Sequence, residues 1–588
     1  MANQTYTADV LVVGGGTGGT AAAIQAARRG AKTILVSEFS WLGGMLTSAG
    51  VSVPDGNELE SFQTGLWGAF LQELRERQPG GLDNSWVSFF SYDPRIGAEI
   101  FADWVQELPN LHWISGQVPT EVFRQGDLIT GVRFADFAVT AKIILDGTEL
   151  GDLLALAEIP YRWGWELQSE WGEPSAPATF NSLTQRYPVQ APTYVVIMQD
   201  FGEAIAPEIP AAPNYNPSQF TGAWDGYGAE TFLNYGRLPR GLFMMNWPIC
   251  GNDYGEGVGR LIESDVSRGE FIQESRWHSQ NFAHFIQKQL GRRYGLAEKV
   301  FPHTSTAFAL HPYYRESRRL VGLTTVREQD ILPIAKGRVA SIFNDAFALG
   351  VCEAIAVGNY ANDHHYPGVQ FPLQPKSIRW GGRWTGTPFT IPYSCLIPAT
   401  TDGFLVCEKN ISVSHIANGA TRLQPVVMGI GQAAGMAAAI CVELNCQPRD
   451  LPVRTLQTAL LEDNRSKALI IPLFNLPPNH SDWRHWQLYY LDNPQAYPVN
   501  GDCPCPSRKA LIQESNCFTG IFYRLEQQEY RFTVTAPATY QGQSWQLVTL
   551  RSHIDDQLRA YPHEQLVTLW GRYNHSGNWL LVEHLNGG

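Results

Sequence analysis

Three glycines near the start of the chain have the spacing of a dinucleotide-binding turn. Gly14, Gly16 and Gly19 follow the apolar run Val10–Val13, which has the composition of a buried strand. In such a turn the first glycine allows the sharp bend, the second lets the backbone approach a pyrophosphate, and the third lets helix and strand pack closely. This spacing is a weak signal on its own, because glycines also mark ordinary turns.

The segments around these glycines complete a βαβ unit. An alanine-rich stretch from Thr20 to Arg29 predicts a helix, and Gly30 stands where helices commonly end. Thr33–Val36 predicts a second strand, and Glu38 lies at its end. The amino end of the helix would face the phosphates and Glu38 would accept hydrogen bonds from ribose hydroxyls. Together these features predict a nucleotide site at the N-terminus.

Chain length, net charge and cysteine spacing limit the classes of protein to which the sequence can belong. The chain has 588 residues, enough for roughly two to four domains, and its net charge of −13 disfavours nucleic-acid binding. The nine cysteines show no zinc-ligand spacing, so we predict no metal site, although Cys503, Cys505 and Cys517 could be redox-active or bind metal. No secretory signal and no apolar run of membrane-spanning length are evident, so we expect a cytoplasmic protein without a transmembrane segment.

A second glycine pair favours FAD over NAD as the nucleotide. Gly43 and Gly44 lie in the segment Trp41–Ser48, just after the ribose-binding acid, where a loop could run along a flavin. Further blocks occur in order along the chain: Ile144–Glu166, Tyr314–Gly322, Ile391–Pro398 and Phe404–Ala439. With these blocks the sequence resembles, over about residues 8–475, the bacterial FAD-dependent oxidoreductases of the glutathione-reductase-like superfamily, on the branch that includes flavoprotein fumarate reductases.

The resemblance implies a set of FAD contacts. The segment Gly429–Gly435 is expected to open a helix whose positive end faces the flavin, and Glu149 replaces the glycine that is usual in the family. We expect non-covalent FAD, because no His, Cys or Tyr lies in residues 37–52. The predicted cofactor-binding residues are Gly14, Gly16, Thr17, Gly19, Glu38, Gly43, Gly44, Met45, Val118, Asp146, Glu408, Gly431, Gln432, Ala433 and Ala434.

Four residues are candidates for catalysis. His415 and Arg422 flank a stretch that is similar to one in which fumarate reductases hold a substrate carboxylate, although the spacing here is longer. Arg315 would share a helix face with Arg318 and Arg319, and Tyr393 could donate a proton. His415, Arg422 and the arginine cluster also have structural interpretations: a buried histidine, a phosphate- or loop-anchoring arginine and a salt-bridge cluster. Tyr393 could instead pack on the flavin. Asp363-His364-His365, after a predicted helix over 347–360, could be a metal pair, an acid or base, or an ordinary loop.

The expected architecture is α/β. A discontinuous Rossmann-like FAD-binding domain would cover 1–165 and 385–480, an α+β substrate or cap domain 166–384, and a small β-rich appendage 481–588. No second GxGxxG occurs between 150 and 400, so a separate NAD(P)H domain is not evident. We therefore expect a dehydrogenase or reductase that moves a hydride between flavin N5 and a small carboxylated substrate. An oxidase or monooxygenase using O₂ and a non-catalytic FAD-binding sensor are the alternatives.

Overall fold

The structure is a computed structural model that describes residues 4–302, 307–342, 352–380, 384–504, 516–526 and 528–585. The strands, in chain order, are β1 (Gln4–Val13), β2 (Thr33–Ser37), β3 (Leu111–Ser115), β4 (Glu121–Gln125), β5 (Leu128–Arg133), β6 (Phe137–Asp146), β7 (Tyr161–Arg162), β8 (Val196–Asp200), β9 (Leu242–Met245), β10 (Tyr294–Leu296), β11 (Arg319–Leu320), β12 (Ala354–Tyr360), β13 (Ile378–Trp380), β14 (Trp384–Pro392), β15 (Phe404–Val406), β16 (Asn516–Glu526), β17 (Glu529–Ala536), β18 (Ser544–Val548), β19 (Gln565–Asn574) and β20 (Trp579–Leu585). The helices are α1 (Thr17–Arg28), α2 (Gly65–Arg77), α3 (Pro94–Gln106), α4 (Asp152–Leu156), α5 (Gln168–Trp171), α6 (Ser182–Arg186), α7 (Ala229–Tyr235), α8 (Asp265–Leu290), α9 (Glu328–Ile331), α10 (His415–Thr421), α11 (Gln424–Leu444), α12 (Val453–Leu461), α13 (Trp483–Asp492) and α14 (Ser552–Ala560).

A parallel sheet forms the centre of the protein. Its strands follow the order β3-β2-β1-β6-β15, and β5 and β4 extend it antiparallel from the first half of β6. All five residues of β2 are buried, as expected for a strand covered on both faces. The register places Val13 opposite both Val36 and Asp146, and Asp146 opposite Val406. The carboxyl ends of β1, β2, β6 and β15 therefore meet at one edge, where parallel sheets bind ligands.

Helices α1 and α11 pack against each other and against this sheet. A methyl group added at Gly431 would lie 2.1 Å from the carbonyl oxygen of Gly18, and one added at Gly435 equally close to that of Ala22. Glycines therefore let the two backbones approach each other. Among the described residues α11 alone is long and apolar enough to cross a membrane, but 89% of its apolar window is buried within the protein. A helix buried in the core of a protein has the same apolar composition.

A second layer covers the ligand-binding edge. Strands β10, β8 and β9 form an antiparallel sheet, and α8 packs on it through Phe282 and Ile286. Helix α8 begins after Ser264, whose hydroxyl accepts from the backbone N–H of Ser267. Met45 and Val51, from the loop after β2, are buried in the same apolar core, so this loop joins the two layers.

Two local predictions are wrong. The helix predicted over 347–360 is replaced, in its described part, by β12, which pairs antiparallel with β14; residues 343–351 lie outside the described part of the chain. Arg315, Arg318 and Arg319 do not share a helix face, because their segment is extended and Arg319–Leu320 pairs with β7. In both cases pairing with a distant strand outweighs the helical preference read from the local sequence.

The C-terminal part, where we expect β-structure, contains a closed barrel with the strand order β16-β17-β18-β20-β19. Its interior is apolar and includes Phe518, Trp545 and Leu569. The barrel contacts the first layer through Asn574, whose Nδ2 donates to Asp83 Oδ1 at 2.7 Å. Closing the sheet removes the unpaired edges that would otherwise invite aggregation.

Candidate active site

The glycine turn between β1 and α1 is shaped by close backbone contacts. Gly14 has a φ of +106°, and a methyl group there would lie 2.1 Å from the carbonyl oxygen of Gly147 at the end of β6. Gly19 packs as closely on Gly14, so the first turn of α1 lies directly on the strand ends. Thr17 braces the turn by donating from Oγ1 to the carbonyl oxygen of Gly43 at 2.8 Å. The turn, with Gly14, Gly15 and Gly16, lines an open space.

That space is a cleft of about 720 Å³ along the carboxyl ends of the strands. Gly14–Gly16, Glu38, Gly44, Val118 and Gly147–Leu150 line one side, and Arg268, His311 and Tyr314 come from the second layer. Burial raises the pKa of Glu38 to about 7, with a further contribution from the charge of Asp152. Glu38 can therefore both donate and accept hydrogen bonds near neutral pH.

A buried charge cluster closes the cleft at the amino end of α1. The N–H of Gly18 donates to Glu408 Oε2 at 2.6 Å, and the ammonium group of Lys409 contacts both Glu408 and Glu149. Burial raises the pKa of Glu408 to about 7, while Lys409 holds the pKa of Glu149 below its usual value. Glu149 Oε1 is buried, and no hydrogen-bond partner for it is recorded among the described residues.

These features fit a flavin dinucleotide. The volume of the cleft is within the range of cofactor sites, and the glycine turn before α1 lines it with backbone groups that can approach a pyrophosphate. Glu38, which would accept hydrogen bonds from ribose hydroxyls, and Val118 also line the cleft. The unpartnered oxygen of Glu149 is available to a hydroxyl of the cofactor. Bound FAD would be held by these groups.

The predicted contacts at Gly431, Gln432, Ala433 and Ala434 are corrected by the position of α11. The helix begins at Gln424, so these residues lie inside it rather than at its first turn, and all four are buried. Pro425 can start the helix because a first-turn residue needs no intrahelical N–H bond. Gln432 instead donates from Nε2 to the carbonyl oxygen of Ser466 at 2.7 Å. The amino end of α11, which has no side-chain cap, lies at Gln424.

Met45 and Asp146 are also placed away from the cleft surface. Met45 is fully buried in the core of the second layer. Asp146 is fully buried, accepts from the backbone N–H and the hydroxyl of Thr148, and has its pKa raised to about 7 by burial. Both residues shape the loops that line the cleft.

Five charged groups form an alternating chain, here called the ion chain: Arg315, Asp253, His365, Asp363 and Arg422. Arg315 Nη2 lies 3.1 Å from Asp253 Oδ1, and Asp253 Oδ2 lies 2.7 Å from His365 Nδ1. His365 Nε2 lies 2.8 Å from Asp363 Oδ2, which also accepts from Arg422 Nη2 at 3.2 Å. Both guanidinium groups also lie over the ring of Tyr313. The structure thus brings together Arg315 and Arg422, two of the predicted catalytic residues.

The contacts within the ion chain favour the charged forms of its two aspartates and of His365. Burial opposes ionisation of Asp253, but Arg315 and His365 lower its pKa to about 2. Burial likewise opposes ionisation of Asp363, but His365 and Arg422 hold its pKa far below the usual range. Burial and Arg315 disfavour the protonated form of His365, yet Asp363 and Asp253 outweigh them and raise its pKa.

His415, the third predicted catalytic residue, lies beside the ion chain in a separate network. Its Nδ1 lies 2.9 Å from Glu316 Oε1 and its Nε2 lies 2.6 Å from the hydroxyl of Tyr366, which in turn contacts His364. Burial lowers the pKa of His415 well below its usual value and raises that of Glu316 to about 7. His415 is therefore a neutral, fully buried residue whose two ring nitrogens are both engaged within the protein.

Tyr393, the fourth candidate, lies in the core of the first layer. Its hydroxyl donates to the carbonyl oxygen of Pro448 at 2.9 Å, and its side chain packs in the main apolar core. Tyr393 directly follows β14, and its ring packs in the core and does not line the cleft. Its contacts are therefore those of a structural residue.

Sequence reasoning missed several residues of the site. Arg268, His311 and Tyr314 line the cleft, and Asp253 pairs with His365, but none belongs to a recognisable spacing. His311 stacks on Phe39 with ring centroids 4.7 Å apart. Only the folding of the second layer over the strand ends brings these residues to the site.

The fold and the cleft define an FAD-binding oxidoreductase. The sequence matches the family described as "FAD dependent oxidoreductase" over residues 9–460, and the chain belongs to this family. A comparison with curated proteins finds no match. FAD is therefore the cofactor, and the protein is an FAD-dependent enzyme.

Solved structures with a related fold are distant. A geranylgeranyl bacteriochlorophyll reductase-like protein from Thermoplasma acidophilum is 10% identical over 84% of this chain and 89% of its own, with a TM-score of 0.31. The p-nitrophenol 4-monooxygenase of Pseudomonas putida is 12% identical over 34% of this chain and 48% of its own, with a TM-score of 0.23. GidA of Aquifex aeolicus is 15% identical over 34% of each chain, with a TM-score of 0.22. This chain thus spans half or less of the last two proteins, and no property of these proteins is transferred to it.

Proposed function

We propose that the protein is a dehydrogenase or reductase that moves a hydride between FAD and a small organic substrate, and that the ion chain is the substrate side of the site. Flavins supply a two-electron acceptor and donor at N5. The proposed FAD-binding surface is the cleft, with Gly14, Gly16, Glu38, Gly44 and Val118 along it. We infer that FAD is held without a covalent bond.

The observation that carries this proposal is that two chain segments connect the cleft to the ion chain. The first segment, residues 44–57, begins at the cleft with Gly44 and ends at Asn57. Asn57 Nδ2 donates to the carbonyl oxygen of Val357 in β12, and Asp363 follows that strand. Residues 310–315 line the cleft with His311 and continue to Arg315. A charged, partly exposed group that short segments join to a cofactor cleft is a candidate for binding a substrate.

The expected carboxylate clamp finds no support in the contacts of the two arginines. Arg315 pairs with Asp253 and Arg422 with Asp363, and their side chains are 1% and 2% exposed. Neither arginine can fork a substrate carboxylate without first releasing its aspartate. We therefore propose no carboxylate on the substrate. Both arginines instead hold the aspartates ionised and in place.

The domain organisation that accompanies this function is also a proposal. We infer an FAD-binding domain over 1–165 and 385–480, a substrate domain over 166–384, and an appendage over 481–588. The composition of the central sheet, β1–β6 with β15, and the closed barrel of β16–β20 support this division. We further propose a reducing, cytoplasmic location, because the eight cysteines in the described part of the chain are all free.

The test follows the absorbance of the bound flavin under anaerobic conditions. NADH, NADPH and a panel of small metabolites are added in turn, and dithionite serves as the reference for full reduction. Rapid bleaching by a pyridine nucleotide or by a metabolite, with slow reoxidation in air, is expected of a reductase or dehydrogenase. Rapid reoxidation would instead indicate an oxidase or monooxygenase, and bleaching by dithionite alone would contradict the proposal.

Two arginine variants show whether the ion chain belongs to the reaction. Arg422→Met is expected to slow bleaching by the active donor at least about tenfold, because it removes a charge that holds Asp363. Arg449→Met is the matched control, since Arg449 pairs with Asp402 at 2.6 Å away from the cleft. Equal rates in the two variants would place the substrate elsewhere.

A further inference from the structure

We propose that Asp363 is the group through which the site binds its substrate, by accepting a hydrogen bond from a hydroxyl or an amine of that molecule. This inference rests on the proposed function, because it assumes that the ion chain faces the substrate. It replaces the expected recognition of a carboxylate by arginine with recognition of a hydrogen-bond donor by a carboxylate.

Exposure singles out Asp363 within the ion chain. Its side chain is 40% exposed, whereas those of Arg315, Asp253 and Arg422 are at most 4% exposed and that of His365 is 13% exposed. A ligand that arrives from solution therefore meets Asp363 before any other member of the ion chain.

The two oxygens of Asp363 have different surroundings. Oδ2 accepts from His365 Nε2 at 2.8 Å and from Arg422 Nη2 at 3.2 Å, so one edge of the carboxylate is fixed. Within the described residues no hydrogen bond to Oδ1 is recorded, and this oxygen is left for a ligand. An ionised carboxylate can only accept hydrogen bonds, so its partner must be a donor such as a hydroxyl or an ammonium group.

The groups near Asp363 suit the same kind of ligand. Tyr360 and Asp55 lie 3.3 Å apart, hydroxyl to Oδ2, and both are partly exposed. Burial raises the pKa of Tyr235, and Asp55 and Asp363 raise it further, so this ring lies within reach of both carboxylates. The carboxylates of Asp363 and Asp55 and the tyrosine hydroxyls can accept hydrogen bonds from a cationic or hydroxylated ligand.

Buried amides beside Asp363 point to a ligand independently of the ion chain. Asn359 and Asn362 are 1% and 7% exposed, and neither the amide oxygen nor the amide nitrogen of either side chain has a recorded partner in the described structure. Buried polar groups are nearly always paired with protein, water or ligand. Two unpaired amides next to Tyr360 and Asp363 therefore indicate a site built for a polar molecule.

The experiment measures binding of three matched probes to the FAD-loaded protein by titration calorimetry: benzylamine, benzyl alcohol and benzoate. They share one ring and differ in the polar group. Benzylamine is expected to bind at least about tenfold more tightly than benzoate, with benzyl alcohol between them. Asp363→Asn is expected to weaken benzylamine binding about tenfold or more. Asp127→Asn, whose side chain is 81% exposed on the β4–β5 turn, is the control and should change nothing.

The proposal is overturned if benzoate binds most tightly, if none of the probes binds, or if Asp363→Asn retains the affinity of the native protein. The ranking of the probes on the native protein keeps the test valid even if Asp363→Asn does not fold. Failure of the proposed function gives a different pattern: the probes bind as expected, but no metabolite or pyridine nucleotide bleaches the flavin.

Discussion

At the scale of single residues the site combines tight backbone contacts with buried charges. Gly14 and Gly16 allow the turn to form because a side chain would meet the end of β6 or the carboxylate of Glu408. Their spacing made the nucleotide site predictable from sequence. The ion chain was not predictable in the same way, because Asp253 and His365 are distant in sequence and meet only through packing.

Gly16→Ala is expected to weaken FAD binding at least about tenfold. The added methyl group would lie 2.7 Å from Glu408 Oε2 and would project into the cleft, displacing a group that caps α1. The dissociation constant for FAD, measured on reconstituted apoprotein, tests this. Gly30→Ala is the control: its φ is +110° but nothing lies within 4 Å, so it should lose about 1 kcal/mol of stability and keep its affinity for FAD. Equal affinity in both variants would contradict the placement of the pyrophosphate at Gly16.

Tyr393→Phe is expected to affect stability and not the redox reaction. The hydroxyl donates to the carbonyl oxygen of Pro448 in the core, and its loss leaves that oxygen unpaired at a cost of about 1–3 kcal/mol. Chemical denaturation measures the change in unfolding free energy, and anaerobic bleaching measures the rate of flavin reduction. A variant with native stability and a tenfold slower reduction would return Tyr393 to the active site.

At the scale of elements, the βαβ unit was predicted from the glycine spacing and the composition of the segments around it, whereas β12 was not predicted. Residues 354–360 contain alternating small and apolar residues that are compatible with a helix, and only pairing with β14 makes them a strand. The start of α11 was misplaced for a different reason. The glycines at 429–435 were taken to open the helix, but Gly431 and Gly435 serve its packing against α1.

Two glycines of α11 give a matched test of that packing. Gly431→Ala would place a methyl group 2.1 Å from the carbonyl oxygen of Gly18, so we expect a loss of about 1–3 kcal/mol in stability and a lower flavin content. Gly429→Ala meets only a methyl group of Ala356 at 3.3 Å and should be neutral or slightly stabilising, since alanine favours helix. Thermal unfolding and flavin absorbance measure both effects. Similar behaviour of the two variants would show that α1 and α11 can move apart without loss of the site.

At the scale of the whole molecule, the buried titratable groups fall into two opposing sets. Five carboxylic acids have pKa values raised to about 7, in each case mainly by burial: Glu38, Asp146, Glu173, Glu316 and Glu408. Several histidines have lowered pKa values, again mainly by burial: His278, His311, His364 and His415. No sequence pattern predicts either set, because burial by the second layer produces the shifts.

The two sets act on stability in different pH ranges. Between the unfolded pKa of a carboxyl, near 4.5, and about 7, the folded protein binds more protons at the five acids, so stability falls as pH rises. Below the unfolded histidine pKa of 6.5 the unfolded protein binds more protons at these histidines, so their contribution to stability rises with pH and opposes that of the acids. Above pH 6.5 the unfolded histidines are mostly neutral, so the acids dominate as the pH passes through about 7.

We therefore expect the melting temperature to be several degrees higher at pH 6 than at pH 8. The net charge of −13 adds repulsion in the same direction, and Lys376, whose pKa is lowered to about 7 by burial, opposes it as a single group. Calorimetry across this range measures the difference, and Glu316→Gln should reduce it, because glutamine mimics the protonated acid and does not ionise. A melting temperature that rises from pH 6 to pH 8 would show that the buried acids ionise without penalty, and that the interior around the site is more hydrated than the packing of the two layers implies.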